Sequence, residues 1–228
     1  MATKKNKKNK RKIKYKIIII FVIFLIILSL IIYISIKPLT NIYITGNNIL
    51  SDKEIITTAK LENYPSYINT YFMHIKDNLL KNSYIKTVEI QRKLFSKIYI
   101  NITEYKPICF YNDNLVLSSK EKVANTYNID YIPYVINDID PIYDKFVDKF
   151  SLVDDSTLLK ISHIEYSPNE VDKERFLLYM VDANYVYVTL SKIEKINKYS
   201  SIVNELENKK GIIYLDSGDY VEIKSWHN

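Results

Sequence analysis

Three histidines, one cysteine and scattered acid pairs are what this 228-residue chain offers for side-chain chemistry. A hydrolase or synthase would need a nucleophile with its base, paired carboxylates, or a metal held by about three protein ligands. His163-Ile164-Glu165 alternates like a strand, so His163 and Glu165 share a face, but no third ligand stands near them in the sequence. His74, within Tyr71-Phe72-Met73-His74, falls on an expected helix and faces solvent or a packed edge. His227 sits at the end of the chain, where order is usually lowest. Cys109 is single, which excludes an internal disulfide and a cysteine-based zinc cluster. Its setting, Pro107-Ile108-Cys109-Phe110-Tyr111, suits a small buried hydrophobe. Asp154-Asp155 reads as a solvated loop pair. Three glycines (Gly46, Gly211, Gly218) are too few for a glycine-rich phosphate cradle. No catalytic, cofactor-binding or metal-binding residue is expected.

The elements that must carry these residues follow from periodicity. Asn41-Ile42-Tyr43-Ile44 alternates like a strand, Thr45-Gly46-Asn47-Asn48 turns, and Ser51-Asp52-Lys53-Glu54 is a capping box opening a helix. A second helix is expected from Ser66 to Asn82, with Ile68, Tyr71, Phe72, Ile75, Leu79 and Leu80 on its buried face. Val88 and Ile90, then Ile98, Ile100 and Ile102, alternate with polar residues and predict two strands of a one-sided sheet. The unit is β-α-α-β-β, ending near Glu104.

From Tyr105 onward the pattern changes to short strands with one late helix. Asn114 to Ser118 and Tyr131 to Ile136 are strand-like. Arg175 to Val181 and Tyr185 to Leu190 flank a hairpin loop at Asp182-Ala183-Asn184. Tyr185 and Tyr187 share a face, where cross-strand packing is a commoner use than stacking on sugar rings. Ser191-Lys192-Ile193-Glu194 predicts a second capping box, for a helix with Ile193, Ile196, Val203 and Leu206 on one side. Gly211 is placed to end it. Ile212 to Leu215 and Tyr220 to Lys224 close the chain as strands.

The amino-terminal part follows a different rule. Between Met1 and Lys16 stand nine Lys or Arg and no acid, and Ile17 to Ile36 is 20 residues without a charge. At about 1.5 Å per residue such a helix crosses a hydrocarbon core of roughly 30 Å. A cleaved signal peptide has an apolar stretch of about 7 to 15 residues and a small-x-small site, which Lys37-Pro38-Leu39-Thr40 lacks. The run is therefore read as an uncleaved anchor. Lysines precede it and only Lys37 follows closely, which puts the head in the cytoplasm and residues beyond Lys37 outside. The net charge of +6 misleads, because without the nine head residues 23 basic residues face 26 acids. The head serves topology and attraction to anionic lipid, so nucleic acid is not expected as a partner.

Ile44-Thr45-Gly46-Asn47-Asn48-Ile49-Leu50-Ser51, then Ile85 to Arg92, then Ile98 to Pro107, resembles the POTRA module of the DivIB/FtsQ family of bacterial division proteins. Arg175-Phe176-Leu177-Leu178-Tyr179-Met180, Val188-Thr189-Leu190 and Ser200-Ser201-Ile202-Val203 are similar to the Gram-positive DivIB branch. So is the run from Lys209 to Tyr220. Three departures stand out: Phe95 where a Pro is usual in the hairpin, no Gly in Ser118-Ser119-Lys120-Glu121, and Asp182-Ala183 for Asp-Gly.

The resemblance implies an α+β protein with a single transmembrane helix, a POTRA module and a mostly antiparallel β-domain with a late helix. The expected boundaries are a basic cytoplasmic head at 1–16, the span at 17–36, POTRA at 37–105 and the β-domain at 106–228. It implies a non-enzymatic divisome assembly protein, in the cell membrane at the division septum, that promotes septal assembly without a cofactor. The implied partners are FtsL-like and DivIC/FtsB-like division proteins and the septal wall synthesis proteins, with the lipid bilayer held through the anchor. The alternative is a membrane-tethered protein that binds peptidoglycan directly, or a wall enzyme. The resemblance puts the coiled-coil partners at the last strands. There Tyr214, Leu215, Tyr220, Val221 and Ile223 are the expected contact residues, Tyr220 serving as anchor because aromatic residues dominate interface energetics.

Overall fold

The computed structural model describes residues 3–66, 70–93, 96–207 and 209–224, with side chains left aside for 3–14, 72 and 73. Expectations for Ile68, Phe95, His227 and the side chain of Phe72 lie outside the described residues. The chain divides into two compact units, 1–103 and 104–228.

The first unit opens with α1 (Thr3–Ile36), so the helix includes most of the lysine head. Its stretch Tyr15–Ile36 is long and apolar enough to cross a membrane, and none of its side chains is buried. Then come β1 (Asn41–Thr45), α2 (Asp52–Thr58), α3 (Phe72–Leu79), β2 (Ile85–Lys93) and β3 (Lys97–Glu104). The Ser51 capping box forms as expected, with Ser51 and Glu54 bonded reciprocally. The second helix is shorter than its periodicity predicts. Tyr71 is extended and begins it, while Thr70 is buried and accepts from Arg92 Nη2 at 2.6 Å. The strands form a three-stranded sheet in the order β1-β3-β2, with β1 and β3 parallel. Ile98, Ile100 and Ile102 pack inward with Ile55, Ile75, Leu79 and Val88. Gly46 turns the chain with φ +84, where a Cβ would lie 2.0 Å from the Ile102 carbonyl oxygen.

The second unit holds β4 (Pro107–Tyr111), β5 (Asn114–Leu117), β6 (Lys122–Val123), β7 (Tyr134–Val135), α4 (Tyr143–Phe150) and α5 (Asp155–Leu158). After them come β8 (Ile161–Tyr166), β9 (Arg175–Met180), β10 (Tyr185–Thr189), α6 (Tyr199–Glu205), β11 (Gly211–Tyr214) and β12 (Tyr220–Ile223). One sheet runs β12-β11-β10-β9-β8-β7-β4-β5-β6, mostly antiparallel, with parallel pairs at β10·β11, β7·β8 and β4·β7. Phe176, Leu178, Val186, Val188 and Ile213 face one way and pack against Phe146, Phe150, Ile193, Ile196 and Tyr199 of the helical segments.

Several local expectations are corrected. The strand at Tyr131–Ile136 shrinks to β7, because Pro133 carries no N–H and its carbonyl accepts from Phe110 N at 2.8 Å. The second capping box does not form. Thr189 ends β10, a 3-10 helix starts at Leu190, and Ser191 falls inside its first turn. Lys192 (φ −121) breaks that segment before α6 continues it. Gly211 begins β11 and ends no helix; a Cβ there would meet the Glu222 carbonyl oxygen at 2.3 Å. The short helices α4 and α5 are additional to the one late helix expected.

Candidate partner-binding surface

β12 is the outermost strand of the large sheet and pairs with β11 in the register Tyr214↔Tyr220, Ile213↔Val221, Ile212↔Glu222 and Gly211↔Ile223. One step on, Lys224 N donates to the Lys210 carbonyl at 3.0 Å. Antiparallel bonding alternates, so Tyr220, Glu222 and Lys224 turn their main chain toward β11. Val221 and Ile223 therefore turn theirs away from it.

The expected contact residues separate by burial. Tyr220 and Ile223 are about half exposed (51% and 52%). Val221 packs its side chain against the core, and Tyr214 is half-buried. Leu215 corrects the expectation: it is a core residue, 4% exposed, whose N–H donates to the Tyr187 carbonyl at 2.8 Å. The sheet alternation carries it inward at the end of β11, so it has no surface for a partner to touch.

Tyr214 stacks on Tyr220 at 4.5 Å and on Tyr187 at 5.4 Å, and the Arg175 guanidinium covers Tyr187 at 3.5 Å. The row continues across the face opposite the helices through Tyr185–Tyr179, Tyr179–His163, His163–Tyr134 and Tyr134–Phe110. These are cross-strand neighbours, which is the ordinary way a sheet uses aromatic side chains. Tyr179 donates to Glu165 Oε2 at 2.6 Å, and that bond, with burial, pushes its phenol up to about 12.

Two clamps hold β11 and β12 in place. Arg175 Nε donates to Asp216 Oδ2 at 2.7 Å with both side chains largely buried. Burial alone would raise the Asp216 carboxyl, but hydrogen bonds from Arg175 and Ser217 and the guanidinium charge outweigh it and hold it low. Lys192 Nζ donates to the Asp216 carbonyl at 2.7 Å, and Lys195 pairs with Asp219 at 2.5 Å across the same turn. The second clamp is interior. Asn184, 1% exposed, accepts from Gly211 N and donates to the Tyr199 hydroxyl, each at 3.0 Å. Tyr199 in turn donates to Asp182 at 2.6 Å; burial and that bond raise its phenol well above the usual tyrosine range. Sequence reasoning missed Arg175, Asp216, Asn184 and Tyr199. The one signal was a charged residue opening the apolar strand at Arg175.

The side chains considered for catalysis are not brought together. His74 is exposed beside the Tyr71 ring at 5.5 Å. His163 and Glu165 share a face as the alternation predicts, but Glu165 is bonded to Tyr179. Asp155 pairs with Lys106 at 2.6 Å, and Asp154 precedes α5. Cys109 is buried, which pushes its thiol far up. Among the described residues no three His, Cys, Asp or Glu side chains converge as a metal site. One cleft is lined by Lys122, Asp140, Tyr143, Lys145 and Glu174. Its cations are already engaged: Lys122 lies 4.5 Å from both the Tyr111 and Tyr143 rings, and Lys145 pairs with Glu174.

Comparison with known proteins agrees with this architecture. The family model for the POTRA domain, FtsQ-type, matches residues 37–105. The chain is 27% identical over 207 residues to cell division protein DivIB of Bacillus subtilis (strain 168), covering 85% of this chain and 78% of that protein. It is 28% identical over 196 residues to DivIB of Listeria monocytogenes serovar 1/2a, covering 81% and 72%. A solved extracytoplasmic domain of DivIB from Geobacillus stearothermophilus is matched at TM-score 0.38 and 17% identity, over 46% of this chain and 96% of that one. That weak likeness bears no weight. A role in cell division follows from the relatives. Residues 37–105 thus carry an FtsQ-type POTRA domain, and most of the chain's length is similar to the cell division protein DivIB.

Proposed function

We propose that this chain is a non-enzymatic assembly protein of the division complex, anchored by one helix, with its head in the cytoplasm and residues beyond Lys37 outside. The POTRA domain at 37–105 serves recruitment or partner contacts, and the β-domain at 106–228 binds FtsL-like and DivIC/FtsB-like partners. Through them it connects to septal wall synthesis proteins. The observation that carries this reading is the edge strand β12, whose main chain at Val221 and Ile223 points away from β11. A partner segment adding itself as a strand would gain main-chain hydrogen bonds there. Tyr220 and Ile223, being exposed, supply side-chain contacts; Tyr214 and Val221 support them from within.

The test is Ile223→Pro in the full-length chain. Proline removes an N–H that β11 does not use, so the existing ladder stays whole. Losing one main-chain bond and adding a ring at the seam costs the complex about 1.4 kcal/mol, or roughly tenfold in affinity. Capture of the FtsL-like and DivIC-like proteins should fall by that factor while the melting temperature holds. Unchanged capture would refute the strand-addition reading. A parallel pull-down with isolated peptidoglycan addresses the alternative, for which the partly exposed aromatic row is the motive; retention there with no protein partner captured would favour it.

A further inference from the structure

The anchor and the POTRA domain are separated by almost no chain. α1 ends at Ile36, Pro38 already bridges Ser66, and Leu39 is buried with its N–H on the Pro65 carbonyl at 3.1 Å. Two residues extend at most about 7 Å, so the domain begins at the depth of the lipid headgroups. The chain then fastens to the β2–β3 hairpin: Thr40 N donates to the Ser96 carbonyl at 2.7 Å, and Asn41 stands opposite Lys97 in the parallel pair. The hairpin end of the sheet is therefore the end nearest the anchor.

That end carries cations and amphipathic rings. Tyr43 stacks on Tyr99 at 4.6 Å and is 40% exposed, on the sheet face opposite the buried Ile98 and Ile100. Lys93 Nζ lies over the Tyr99 ring at 5.0 Å, and Lys37 Nζ lies over Tyr33 at 4.9 Å. Among the described residues none of Lys37, Lys93 and Lys97 forms an ion pair. Glu89 shares the face but stands four residues from Lys93, roughly 13 Å along the strand. Tyrosine beside lysine is the composition of a membrane interface, the ring at headgroup level and the ammonium on phosphate.

We infer that Lys93, Lys97 and the Tyr43–Tyr99 pair dock the POTRA domain on anionic phospholipid headgroups beside the anchor, with Lys37 and Tyr33 continuing the contact. The contact fixes the tilt of the domain at the membrane. It rests on the reading of α1 as a membrane anchor.

The experiment places the full-length chain in nanodiscs of phosphatidylcholine, with and without phosphatidylglycerol, and measures lysine acetylation by mass spectrometry. Each lysine near an anionic surface is stabilised enough to slow its modification about fivefold. Lys93 and Lys97 should be protected by that factor in anionic discs only. Lys53, Lys60 and Lys81, exposed on the helical side, should label equally in both. High salt should abolish the protection, because it shortens the screening length to a few ångström, about 3 Å at 1 M. Lys93→Glu with Lys97→Glu should restore fast labelling of Lys37. Equal labelling of Lys93 and Lys97 in the two discs, or protection spreading to Lys53 and Lys81, overturns the inference. So does protection by soluble poly(glycerol phosphate) that anionic lipid does not reproduce. A chain that fails to enter the discs overturns the anchor reading and this inference with it; entry with equal labelling overturns the inference alone.

Discussion

Asn184→Leu should cut the interior clamp that fastens β11 to the hairpin before it. The leucine is close in size, so the change removes hydrogen bonding without opening a large cavity. Gly211 N–H loses its acceptor and is left buried, at about 1–3 kcal/mol, and the bond to the Tyr199 hydroxyl goes at about 1 kcal/mol more. A total near 3 kcal/mol lowers the melting of a unit this size by on the order of 10 °C. Scanning calorimetry of the detergent-solubilised chain would read it, with amide exchange locating the loss at residues 184–224. Tyr199→Phe should cost about 1–3 kcal/mol, because it orphans the Asn184 amide and takes from Asp182 the shorter of its two hydrogen bonds. Since both changes break one network, their double mutant should fall short of additivity by at least about 0.5 kcal/mol. Additive losses, or a melting shift under about 3 °C for Asn184→Leu, would refute the clamp.

Cys109 should resist maleimide in the native chain and label only at the rate of opening, since burial keeps its thiol protonated and out of reach; prompt labelling near pH 8 would contradict that. Asp216 has a folded carboxyl held below its ordinary 3.8, so its contribution is present above that value and is lost as pH falls through the lower folded one. Asp216→Asn should therefore destabilise the chain at neutral pH and flatten its acid unfolding, followed by near-ultraviolet dichroism. Ala183 sits at φ +68 and should gain about 0.5–1 kcal/mol on conversion to Gly, seen as a higher melting temperature of the same unit.

How much of this was legible beforehand depends on the range of the interaction. Ser51 and Glu54 stand three apart, and their capping box formed as read. Ile98, Ile100 and Ile102 are buried as their alternation requires, because a strand's period of two survives any choice of neighbour. The failures arose where a local signal met a longer-range demand. Thr70 fits a helical repeat, yet its hydroxyl is taken by Arg92, 22 positions on, and the helix starts after it. Ser191 and Glu194 have capping spacing, but β10 runs to Thr189 and leaves no turn for a cap. Ser118–Glu121 and Asp182–Asn184 lack the Gly usual at such turns. The backbone keeps left-handed positions there all the same, at Lys120 (φ 73) and Ala183 (φ 68). Packing of the flanking strands outweighs a penalty of about 1–2 kcal/mol at each.

The last strand was legible in the sequence and its place at the sheet edge was not, for a related reason. Alternation places Tyr220 and Glu222 on one face and Val221 and Ile223 on the other, but a final strand need not be an edge. What makes β12 the edge is that β11 pairs parallel with β10, a crossover that periodicity does not encode. The groups that hold this arrangement are far apart in sequence: Arg175 and Asp216 by 41 positions, Asn184 and Gly211 by 27. A main-chain interface, moreover, leaves little mark in side-chain composition, since any residue can offer its N–H and carbonyl. Leu215 shows the consequence. It belongs to the same short apolar run as Tyr214, yet one step along the strand carries it from the aromatic face into the core. What sets such an edge is the pinning of the neighbouring strand, done here by Arg175 and Asn184.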